Sequence, residues 1–159
     1  MKDGIKIRGF SRVRITEKGK VVGDSGLIGP NVFCNDGFYN MLTGIRGVAG
    51  YEITVVAIGT GTIPNASHVT LNGEIMGSTK RLGINATVIN SKTYRMLFTF
   101  ASSASFLTAA ANIQNIGLFM VTATATGVQL NKLICGNTYS SSSCNTNQDI
   151  NGTYEIQFS

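Results

Sequence analysis

Three groups of residues in this chain have types and spacings from which chemistry is made. The first is VAIGTGTIPNAS, Val56 to Ser67, where two glycines one residue apart follow a short apolar run, as in loops that cradle phosphate. Such a loop must open into a helix whose unpaired N–H groups face the anion, with a third glycine or a lysine close by. Pro64 stands at the third-glycine position and no lysine follows until Lys80. The stretch therefore reads as a strand, Ile53 to Ile58, entering a tight turn in which Gly59 and Gly61 supply the dihedrals and Pro64 stiffens the exit. The second group is His68, the single histidine, with Glu52 and Glu74 flanking the glycine turn. An imidazole base would have to work from a polar, proline-preceded loop, and the two carboxylates read as surface charges bordering a strand. The third group is Cys34, Cys135 and Cys144, which show no CxxC or CxxH spacing and have no histidine pair to complete a metal site. Cys135 and Cys144 bracket the small polar residues of CGNTYSSSSC; a disulfide there would tie a loose loop, and two free thiols explain the pattern equally well. Cys34 reads as a small buried side chain. This inventory predicts no enzyme, no metal and no cofactor.

Charge is the next signal. The formal net charge is +5, and all of that excess lies in residues 1–20, where Lys2, Lys6, Arg8, Arg12, Arg14, Lys18 and Lys20 face only Asp3 and Glu17. Ile5 and Ile7 alternate with Lys6 and Arg8, and Val13 and Ile15 with Arg12 and Arg14, the period of half-buried strands. EKGK then reads as a hairpin turn into Lys20 to Val22. The basic row serves as a solvated edge that discourages wrong pairing or as a contact for an acidic partner, with Lys6, Arg8, Arg12 and Arg14 as the candidate contact residues. Nucleic acid is the weaker reading, because no aromatic residues interleave with the charges to stack bases.

Those side chains must be positioned by mostly extended structure. A chain of 159 residues is one domain's worth of core, and its 43% hydrophobic and 13% charged composition suits sheets with uncharged polar faces. One helix is expected near residues 36–45, with Phe38, Met41, Leu42 and Ile45 on one stripe and Asn35 or Asp36 as its cap. Strands are expected at Ile53 to Ile58, Arg81 to Ile89, Thr93 to Phe100, Ile113 to Val121, a weaker pair around Val128 to Cys135, and TYEIQF. The predicted class is all-β, a β-sandwich or jelly roll, with residues 1–30 as a basic hairpin arm and connector and residues 31–159 as the sandwich. No apolar run approaches the roughly 20 residues that span a bilayer, and MKDGIKIRGF lacks the apolar core of a signal peptide, so a cytoplasmic origin is expected.

The order RGFSRVRITEKGKVV, GPNVFCNDGFYNML, VAIGTGTIPNASHVTLNGEI and NIQNIGLFMVTATATGVQL resembles a group of structural proteins of tailed bacteriophages. His68 stands where that group usually has aspartate, and Asn115 where glutamate often precedes IGLF. The resemblance implies a virion component made in the host cytoplasm, a β-sandwich displayed on the capsid or tail, and does not say where on the particle it sits. The first expectation is a decorating or cementing subunit on the outer surface of the shell, binding the major capsid protein and associating as a homotrimer, the trimer resting on the resemblance and on the preference for symmetric assembly. A receptor-binding module of a tail or fibre, and a nucleic-acid-binding protein using the basic N-terminus, are the alternatives.

Overall fold

The computed structural model describes residues 4, 6–47, 52–75, 81–123 and 129–159. Lys2, Asp3, Ile5, Lys80 and Val128, which entered the sequence reading, lie outside the described residues. In chain order the elements are β1 (Ile7–Glu17), β2 (Lys20–Asp24), β3 (Val32–Phe33), α1 (Asn35–Ile45), β4 (Ile53–Gly59), β5 (Leu82–Gly83), β6 (Asn85–Asn90), β7 (Thr93–Phe100), β8 (Ala111–Ala123), β9 (Gln129–Cys144) and β10 (Asp149–Phe158). They form two antiparallel five-stranded sheets, a front sheet ordered β2-β1-β10-β7-β6 and a back sheet ordered β3-β9-β8-β4-β5. Among the described residues the protein is a β-sandwich with one short α-helix and an N-terminal hairpin.

Alternation in β1 explains the front sheet. Gly9, Ser11, Val13 and Ile15 are buried while Arg8 and Arg14 are exposed, so a single strand runs where the sequence suggested two short ones. Lys18 and Gly19 both take positive φ, 49° and 78°, the backbone of a two-residue turn whose twist matches the flanking strands. β1 pairs with β10 from Ile7–Phe158 to Thr16–Asp149, and Val13 and Ile15 belong to the central core. The hairpin is therefore built into the sandwich, and the division into a 1–30 arm and a 31–159 body does not describe it. The reason is register: a strand with one apolar face inserts wherever its neighbour offers a matching face.

The core lies between the sheets, with Met96, Phe98, Phe100, Ile150 and Tyr154 from the front meeting Val56, Ile58, Ile116, Leu118 and Met120 from the back. Tyr154, the largest fully buried side chain, accepts a hydrogen bond from Asn31, which fastens the segment between β2 and β3 across β1. A second, smaller cluster of Ala57, Leu71, Phe119 and Leu133 lies on the far side of the back sheet, under the segment that follows β4.

Two elements depart from the sequence reading. CGNTYSSSSC is the C-terminal part of β9, paired with β8 as far as Cys144–Ala111, where a loop was expected. Serine and threonine tolerate a strand when a neighbour supplies the ladder, here β8, so composition alone misleads there. The helix is present over Asn35–Ile45, and the side it buries is not the apolar stripe: Gly37, Asn40 and Thr43 are its buried residues, while Phe38, Leu42 and Ile45 of the stripe are exposed. Met41 of that stripe packs against the core, and the ring of Phe38 meets that of the core residue Phe33 at 5.8 Å between centroids.

Candidate functional site

The glycine turn is the first place where the predicted residues meet. Gly59 ends β4, and a Cβ there would sit 2.5 Å from Asn115 Oδ1 and 2.8 Å from the Gly73 carbonyl. A Cβ on Gly61 would collide with the Asn72 carbonyl. Thr60 N–H donates to Gly73 O at 3.0 Å, so the chain returns on itself backbone to backbone. Buried Pro64 packs over Gly136, where a Cβ would lie 2.7 Å from the proline Cγ. The segment is thus an internal brace and opens into no helix that would present N–H groups to an anion.

Asn115, which the sequence reading noted only as a departure, holds this brace from below. It is fully buried in β8, and its Nδ2 donates to Asn72 O at 2.8 Å and to Thr62 O at 3.3 Å. A glutamate carboxylate could not donate to either carbonyl, which accounts for an amide here. The available signal was a polar residue at the head of the apolar run IGLFM. His68 has a local role: its Nδ1 accepts from the Asn65 N–H at 3.3 Å. Glu52 and Glu74 are not a pair. They sit at opposite ends of β4, about 20 Å apart at the rise of a strand, and Glu74 is bound through both oxygens by Arg81, at 2.8 and 2.9 Å. That ion pair is nearly enclosed, with Arg81 Cζ 3.4 Å from the centre of the Phe119 ring. Arg81 covers the smaller cluster as a lid whose charge Glu74 neutralises.

Cys135 and Cys144 are free and buried, as is Cys34. They lie nine residues apart along β9, more than about 20 Å, whereas a disulfide requires Cα atoms within about 7 Å. The bridge considered from sequence is therefore absent, because the segment between them is extended rather than looped. Burial pushes the Cys135 thiol up to about 12 and those of Cys34 and Cys144 to about 11. Among the described residues, no three His, Cys, Asp or Glu side chains gather in a way that could hold a metal ion.

The basic residues divide into two kinds. Arg12 holds Asp24 with both branches of its fork, at 2.9 and 2.6 Å, and Arg14 reaches the same carboxylate through Nε at 3.3 Å. These guanidinium groups hold the Asp24 carboxyl well below the usual carboxylate range. Lys6 and Arg8 are exposed, and Arg8 stands opposite Gln157 in the ladder. Arg12, Arg14, Arg95 and Glu155 line an open hollow of about 740 Å³ on the outer face of the front sheet, where Arg95 is itself bonded to Glu155 at 2.7 Å.

The remaining surface feature is α1. Phe38, Tyr39, Leu42 and Ile45 are 46, 64, 64 and 82% exposed, and their spacing gathers them on one side of the helix. The opposite side lies on β9 because it is small: a Cβ on Gly37 would collide with the Ile134 carbonyl, and Thr43 satisfies its hydroxyl on Tyr39 O at 2.9 Å. No family model, curated protein or solved structure matches the chain. The surfaces themselves must carry the functional reading. Four such side chains at those exposures amount to about 510 Å², taking roughly 200 Å² per large side chain, the size of the largest apolar patch on an ordinary monomer, which is often a functional one.

Proposed function

We propose that this chain is a virion structural protein of a tailed phage, a subunit that decorates and cements the outer surface of the capsid. The outward apolar stripe of α1 carries the reading. A sandwich that has closed its own core still presents Phe38, Tyr39, Leu42 and Ile45 to its surroundings, and such a stripe stabilises an assembly when a neighbouring subunit covers it. The ordered resemblance of RGFSRVRITEKGKVV through NIQNIGLFMVTATATGVQL to phage structural proteins supplies the particle. Lys6 and Arg8 contribute to steering toward an acidic coat surface; Arg12 and Arg14 act less as free cations, since Asp24 already binds them.

The test is occupancy of particles assembled without the subunit and then supplied with purified protein. Wild-type protein is expected to cover the outer shell in many copies, and Leu42→Asp is expected to lose most of that coverage while remaining folded. Full occupancy by Leu42→Asp would remove α1 from the contact, and wild-type protein that leaves the shell bare would overturn the reading. The open hollow of the front sheet, where Arg12, Arg14, Arg95 and Glu155 stand beside Leu27 and Leu97, supports a second reading, a receptor-binding module on a tail or fibre. Imaging separates the two, since an adhesin sits at the tail in few copies.

A further inference from the structure

We propose that β6 is a self-association edge, and that two copies of this chain pair β6 to β6 about a two-fold axis, joining their front sheets into one continuous antiparallel sheet. This inference rests on the strand edges and stands independently of the particle reading. All six residues of β6 are exposed. The strand ends the front sheet, with β7 on one side and no strand on the other among the described residues. Such an edge offers main-chain donors and acceptors that only another extended strand satisfies fully.

The four edges of the sandwich are not equivalent. On the back sheet, β3 and β5 are two residues long, too short to template a partner. At the opposite edge of the front sheet, β2 adjoins Lys18 and Lys20 in the basic hairpin and has a register shift beside Ile15 and Thr16, both of which deter pairing. β6, Asn-Ala-Thr-Val-Ile-Asn, carries no charge. Its regular stretch from Asn85 to Val88 precedes the irregularity before Asn90. Electrostatics select the same edge. Pairing through β2 would bring the basic hairpins of two molecules together, whereas pairing through β6 places them at the far ends of the joined sheet. Four inter-strand spacings separate β2 from β6 in each copy, about 19 Å, beyond the roughly 8 Å Debye length at physiological salt.

The faces fix the register. Ala86 and Val88 stand opposite Met96 and Tyr94 of β7 and so point to the core side, yet Val88 is 70% exposed because nothing covers it there. A two-fold axis normal to the sheet keeps each face continuous only when residues of like face meet. Centring the pairing on Thr87 uses the regular stretch and sets Ala86 of one copy across from Val88 of the other. The nearest cation on the strand's hairpin is Arg95, which stands opposite Thr87 on β7 and is neutralised there by Glu155 at 2.7 Å. The assembly is a dimer, in contrast to the trimer implied by resemblance.

Sedimentation of the purified chain from micromolar to several hundred micromolar concentration tests this. The expected result is a concentration-dependent shift from the 16.9 kDa chain to twice that mass. Val88→Lys should weaken dimerisation at least tenfold with unchanged circular dichroism, and Leu42→Lys on α1 should leave it unaltered. Thr87→Cys, which stands across from itself on the axis, should form a disulfide-linked dimer on mild oxidation. That cross-link decides the matter should Val88→Lys fail to fold. A wild-type chain that stays monomeric throughout, a dimer indifferent to Val88→Lys, or one dissociated by Leu42→Lys would each overturn the proposal.

Discussion

Three kinds of side chain do structural work that their neighbours cannot share. Gly61 permits the backbone contact with Asn72, so Gly61→Val should destabilise the fold by about 3 kcal/mol, read as a lowered midpoint in urea unfolding. Arg81 and Glu74 bind each other nearly out of solvent. Removing one charge strands the other, so Glu74→Gln should cost about 3 kcal/mol, and a double replacement by apolar residues should restore part of that loss. The three buried thiols have proton affinities above the ordinary thiol value of 9.0. Their contribution to stability is complete below pH 9 and is lost as pH rises toward 11 to 12, because the unfolded chain ionises first. Urea midpoints should therefore fall between pH 9 and 11. Alkylation at pH 7 without reductant should label the native chain slowly and the unfolded chain at three sites. The turn glycines were legible because the alternative, a phosphate loop, lacks its third glycine and its lysine. Asn115 and the Arg81–Glu74 pair were not, since their partners come from separate segments.

At the scale of the element, α1 and β9 show how a local pattern leaves the buried side open or suggests the wrong class. Residues at i, i+3, i+4 and i+7 do make one apolar stripe on α1, and periodicity says nothing about which side the protein covers. The small residues settled that. Gly37, Asn40 and Thr43 let the helix backbone approach β9 more closely than Leu42 or Phe38 would. Two substitutions separate the sides. Leu42→Asp should change stability by less than about 0.5 kcal/mol, as befits an exposed site, while Gly37→Ala should cost about 1–3 kcal/mol through collision with Ile134; thermal unfolding reads both. In β9, CGNTYSSSSC has the composition of a loop, and its conformation follows from β8 alongside it.

At the scale of the molecule, the front sheet depends on its N-terminal strand. β1 lies between β2 and β10 and contributes Val13 and Ile15 to the core, so deletion of residues 1–24 should abolish cooperative unfolding rather than trim an appendage, as seen in calorimetry or amide NMR spectra. The sequence by itself determined the class of the fold, the hairpin, the limits of β7 and the presence of one helix, because two-residue and 3.6-residue periods and turn residues are local properties of a chain. Tertiary structure alone decided that β1 is internal, that Asp24 holds Arg12 and Arg14, that Cys135 and Cys144 stand far apart, and that α1 turns its apolar stripe outward. Those outcomes depend on which segments meet across the fold, and pairing between distant segments is set by the closeness of approach and the match of whole faces, which no local window of residues contains.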